Sequence, residues 1–145
     1  MIKLAIKRYI LITERVRKVP LRQTIARYFS DHAETNDSHT DPLLQTHYYK
    51  ITADKGVTIL ESLFRNDPLY DIHASSSDRG EISATITERK KAFIVATVTM
   101  VKPLQTAIDF SVTTESFLRF DLGFSHKVIQ RLYAHTDKEL PLVKT

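Results

Sequence analysis

The chain has 145 residues, of which 42% are apolar and 26% charged, an ordinary globular balance that excludes a disordered polypeptide. It holds no Cys, no Trp and only three Gly, which removes disulfides, thiolate catalysis, Cys-type zinc sites and Gly-rich phosphate loops together. The formal charge of +4 is unevenly spread: Lys3, Lys7, Arg8, Arg15, Arg17, Lys18, Arg22 and Arg27 face only Glu14 within residues 1–30, so that third carries +7 and the remainder −3.

The length suits one domain over 1–145. No apolar run approaches the roughly 20 residues that span a bilayer. Basic residues are scattered through MIKLAIKRYILITERV, which argues against a secretory leader, and a cytoplasmic protein is the expectation.

Residues 1–16 fit neither period completely. Ile2, Leu4, Ile6, Ile10, Ile12 and Val16 share a strand parity, while Ile2, Ala5, Ile6, Tyr9, Ile10 and Val16 form a helical stripe; the β-branched YILIT run favours strand. From 19 to 34 the spacing predicts a helix, with Pro20 in its first turn and Leu21, Ile25, Tyr28 and Phe29 on one face. A polar linker is expected at about 35–42. LLQTHYYKIT alternates like a strand, and TADKGVTILESLFRND then predicts a helix capped by Thr52 and ended by Asp67-Pro68.

From 69 to 114 the period is two. LYDIHA, EISATITE, KKAFIVATVTMV and TAIDFSVTTE are four strands with short connections, hence an antiparallel meander. FSHKVIQRLYAH is a helix with Ser125 as its cap, and the tail from about 136 is expected to fray. The fold class is therefore α+β: a four- to five-stranded antiparallel meander sheet with about three helices packed on one face.

Strand parity separates the two sheet faces. Ile82, Ala84, Ile86, Ala92, Ile94, Ala96, Val98, Ile108, Phe110 and Val112 fall on the side expected to receive the helices. Ser83, Thr85, Thr87, Thr97, Thr99, Asp109, Ser111 and Thr113 fall on the other, either a pocket floor rich in hydroxyls or, more plainly, a solvated face.

Three candidate sites follow. Asp71 and His73 share a parity, and if it is that of the polar face they would converge with Asp109 and Ser111 as a carboxylate-oriented base beside a hydroxyl. In DHAETNDSHTD, His32, Asp37 and His39 are candidate metal ligands, although the spacing matches neither HExxH nor an EF-hand and a solvated linker explains the composition more simply. SSSDRG at 75–80 offers hydroxyls and Arg79 to an anion, or is a polar hairpin connection. No motif calls for a cofactor.

Three functions compete. The first is a non-enzymatic binding or regulatory domain whose eight basic residues in 1–30 contact an anionic partner, nucleic acid or an acidic protein surface. The second is a small-molecule-binding protein or hydrolase-like enzyme with its pocket on the Ser/Thr-rich face. The third is a protein-interaction or homo-oligomer module without a ligand.

Overall fold

The computed structural model describes residues 32–115 and 121–143. Residues 1–16, and the expected helix from Pro20 as far as residue 31, lie outside the described residues. Within them the order is β1 (His32–Glu34), a 3-10 turn (Pro42–Leu44), β2 (His47–Tyr49), α1 (Ala53–Asn66), β3 (Tyr70–Ser76), β4 (Glu81–Thr87), β5 (Lys91–Lys102), β6 (Gln105–Glu115) and α2 (Phe124–Glu139). The fold is α+β, with a six-stranded antiparallel sheet and two α-helices among the described residues.

The meander forms as its alternation predicts, and it leaves β6 free to pair on its far side. There β6 takes two short strands at different heights: β1 at Ser111–Thr113 and β2 at Thr106–Ile108. The sheet thus runs β1-β6-β5-β4-β3, with β2 also on β6 and β3 at the opposite edge.

Register puts Ile82, Ala84 and Ile86 beside Ala96, Ile94 and Ala92, and these beside Phe110, Val112 and Thr114, all on the buried side. α1 contributes Val57, Leu60 and Phe64 to the same core, and α2 contributes Val128, Ile129, Leu132 and Tyr133. Burying Leu60 and Phe64 completely contributes roughly 2–3 kcal/mol each. Phe64 meets Tyr70 edge-on at 5.0 Å between ring centres, and Phe110 meets Tyr133 likewise. α1 lies close over β5: a Cβ on Gly56 would stand 2.9 Å from Val98 Cγ1.

Thr52 caps α1 as expected, accepting the Lys55 N–H at 3.4 Å. α2 departs from expectation at both ends. Its cap position is Gly123, with φ of 85°, and the capping oxygens come from Asp121 instead of Ser125. Asp121 accepts from Gly123 N and Ser125 N, both at 3.0 Å, and from Thr114 Oγ1 at 2.6 Å, which ties the helix start to β6. At the other end α2 continues past 136 to Glu139, Leu140 is buried, and Leu142 pairs with Tyr49 where fraying is expected.

The expected helix at 19–34 is corrected at its end, since His32–Glu34 is β1. Ala and Glu suit a helix locally, but pairing with β6 buries Ala33 against the core, and that tertiary gain decides. The expected strand over 43–52 shrinks to three residues, and at its start Asp41 and Pro42 set a 3-10 turn, with Asp41 Oδ1 accepting from Leu43 N at 3.0 Å.

Candidate functional site

The expected linker at 35–42 is hydrogen-bonded structure. Thr35 leaves β1 buried, its N–H on Phe110 O, while its hydroxyl donates to Asp109 Oδ1 at 2.7 Å and accepts from Phe110 N at 2.9 Å. Thr46, just before β2, donates to the same Asp109 oxygen at 2.6 Å. Asp109 therefore bridges the segment leaving β1 and the segment entering β2, two strands that both pair with β6. Tyr133 joins from α2, donating to Ile108 O at 2.8 Å with its oxygen 3.2 Å from Thr35 Oγ1.

A second cluster lies on the helix side of β2. The ring of His47 stacks on Tyr133 at 3.7 Å with planes 10° apart, and its Nδ1 is 3.0 Å from Asp137 Oδ1. Tyr49 also donates to Asp137 Oδ1, at 2.5 Å. Both the His47 and Asp137 side chains are about one-quarter to one-third exposed, at 27% and 30%. The carboxylate fixes the imidazole, so the cluster locks the last turns of α2 onto β2 and has the orientation of a carboxylate-histidine pair.

These hydroxyls hold their protons. Burial, followed by the Asp137 hydrogen bond, pushes Tyr49 far above the usual tyrosine value, and burial does the same for Tyr133. The Tyr48 hydroxyl donates to Asp37, which raises its pKa to about 12, and burial raises Tyr70 to about 12.

The candidate base and hydroxyl do not gather. Asp71 pairs with Thr85 on the outer face, opposite Phe93, and the ladder shifts between Ile72 and Ala74 around His73. His73 Nε2 hydrogen-bonds Thr85 Oγ1, and its ring faces Phe93 at 6.3 Å. Asp109 sits opposite Thr97 and Ser111 opposite Val95, both on β6. Three strand spacings, roughly 14 Å, separate β3 from β6. Asp71 and His73 do share the polar face, but the expected convergence with Asp109 and Ser111 is corrected by register.

The metal candidates also point to separate partners. His32 Nδ1 lies 2.7 Å from Thr113 Oγ1, and its Nε2 is 3.5 Å from Glu34. Asp37 receives Tyr48, while His39 Nδ1 accepts from Asp41 N at 2.9 Å. Among the described residues no three His, Asp or Glu side chains gather as a metal-holding group. The SSSDRG segment is a hairpin connection: Arg79 N donates to Ser76 Oγ at 3.3 Å and Gly80 N to Ser77 O at 3.2 Å. Gly80 has φ of 66°, and a Cβ there would stand 2.2 Å from Val98 O.

The outer face carries Glu34, Asp71, Glu81, Asp109 and Glu115 against Lys91 and Lys102, with hydroxyls between them and Phe93 43% exposed. A cleft lies elsewhere, on the helix side between the ends of α1 and α2. All eight basic candidates, Lys3, Lys7, Arg8, Arg15, Arg17, Lys18, Arg22 and Arg27, lie outside the described residues. Among the described residues no helix is long and apolar enough to cross a membrane.

Sequence reasoning missed Thr35, Thr46, His47, Tyr49, Tyr133 and Asp137 as one network. The available signal was Asp109, a carboxylate within an otherwise apolar and hydroxyl-bearing strand, which needs donors when half-buried. Among the described residues the chain is an α+β domain with an antiparallel sheet backed by two helices and an acidic, hydroxyl-rich outer face. In comparisons with known proteins, no family model matches this chain and no curated protein matches it.

Proposed function

We propose that this chain is a non-enzymatic binding domain that uses its basic amino-terminal third, residues 1–30, against an anionic partner, either nucleic acid or an acidic protein surface. The observation that carries the reading is charge segregation: eight basic residues and one acid in 1–30, with −3 on the remainder. The carboxylates of the outer sheet face support it, because an anion approaching that side meets Glu34, Asp71, Glu81, Asp109 and Glu115. Opposite potentials on one small protein orient an anionic partner towards the basic end before contact.

The polar clusters already described support a structural use of these carboxylates: Asp109 and Asp137 are half-buried and Asp121 is buried, and each holds two or more hydrogen-bond partners. Fluorescence anisotropy with labelled duplex DNA, single-stranded RNA and polyglutamate tests the reading. The paired substitutions Lys7→Gln with Arg8→Gln, and Arg22→Gln with Arg27→Gln, are each expected to weaken binding and, on duplex DNA, to lower the log–log salt slope by up to about 2. Unchanged affinity and slope in both variants would remove the basic third from the interface.

A further inference from the structure

The cleft between α1 and α2 has no part in the reading above. Its volume is about 480 Å³, and Ile59, Ser62, Leu63 and Asn66 form one wall on α1. Asp67 and Pro68 close it below α1, and His135, Lys138 and Glu139 form the wall on α2. The volume falls within the roughly 300–1,000 Å³ range of small-molecule sites.

Its chemistry is polarised. Ile59 and Leu63 are half-buried and, with Pro68, give an apolar floor. The rim bears the carboxylates of Asp67 and Glu139 against the ammonium of Lys138. Both helices also end here, α1 at Asn66 and α2 at Glu139. Each helix C-terminus carries about half a negative charge on carbonyls left without intrahelical partners. Among the described residues no backbone N–H from outside the helix reaches the carbonyls of Leu63 to Asn66, or those of Asp137 to Glu139. Two negative helix ends and two carboxylates outweigh one lysine.

We infer that this cleft binds a small organic amine, its ammonium at the Glu139 and Asp67 rim and its apolar body on Ile59, Leu63 and Pro68. A carboxylate of the same size meets the same floor but the wrong field.

The matched pair hexylammonium and hexanoate separates these cases on the full chain, followed by amide chemical-shift titration at low salt. Hexylammonium is expected to give saturable shifts confined to 59–68 and 135–139, with hexanoate giving none there. Glu139→Gln, an exposed substitution, should weaken hexylammonium about threefold to tenfold, the size of one partly screened charge contact. Ser62→Trp, on the exposed rim, should fill the cleft and abolish the shifts while circular dichroism stays unchanged. Equal binding of hexanoate, absence of saturation by hexylammonium, or full affinity in Glu139→Gln would each overturn the assignment.

Discussion

Replacing Asp121 with Ala tests how α2 is attached to the sheet. The carboxylate is 2% exposed and receives three donors: Thr114 Oγ1 at 2.6 Å, Gly123 N at 3.0 Å and Ser125 N at 3.0 Å. The Ala variant loses a helix cap, which contributes about 1 kcal/mol, and the hydrogen bond that Thr114 donates to a charged acceptor, about 1.5–3 kcal/mol. It also leaves buried donors unpaired, so the total should reach about 3–4 kcal/mol, a large share of the roughly 5–15 kcal/mol that holds a typical domain together. Asp121→Asn keeps one carbonyl acceptor and should lose only about half as much. Urea denaturation followed at 222 nm gives both values, with the m-value unchanged because the same surface is exposed on unfolding. An Ala variant within about 1 kcal/mol of the wild type would refute Asp121 as the anchor of α2.

Gly80→Ala should destabilise by more than about 2 kcal/mol, since a left-handed φ penalises any Cβ and this one would also press on the Val98 carbonyl; a neutral effect in the same denaturation assay would contradict the turn geometry. Alkaline titration at 295 nm reads the tyrosines. Unfolded Tyr ionises near about 10. Tyr48 and Tyr70 are raised to about 12, and Tyr49 and Tyr133 are raised as well. Their contribution to stability is therefore complete below about pH 10 and is lost as pH rises towards 12, where ionisation and unfolding should coincide. Reversible ionisation of all tyrosines near pH 10 in the folded protein would contradict the hydrogen-bonded placement of these four.

Much of this fold was legible because it is written locally. The alternation of Ile82, Ala84 and Ile86 with Ser83, Thr85 and Thr87 survives as the two faces of β4, and Thr52 with Pro68 brackets α1. What escaped depends on partners distant in sequence. β1 and β2 have three residues each, too few to show a period, and exist because β6 offers a free edge. Asp109 meets donors 63 and 74 residues away, so no spacing rule could join it to Thr46 and Thr35. Ser125 was the expected cap from its position, yet the left-handed turn at Leu122 and Gly123 brings Asp121 to the helix start instead. Asp71 and His73 were placed correctly by parity on the polar face, but parity carries no distance across the sheet, and two strands stand between β3 and β6.

The most direct test of the proposed function is the salt dependence of partner binding by the full chain. Anisotropy with labelled duplex DNA, single-stranded RNA and polyglutamate, followed from about 50 to 300 mM salt, should give saturable binding to at least one of them, with log affinity falling linearly in log salt. For duplex DNA, engagement of four to eight of the basic residues in 1–30 predicts a slope of roughly −4 to −7. Binding to none of the three at about 50 mM salt, or an affinity indifferent to salt, would contradict an electrostatic role for the amino-terminal third.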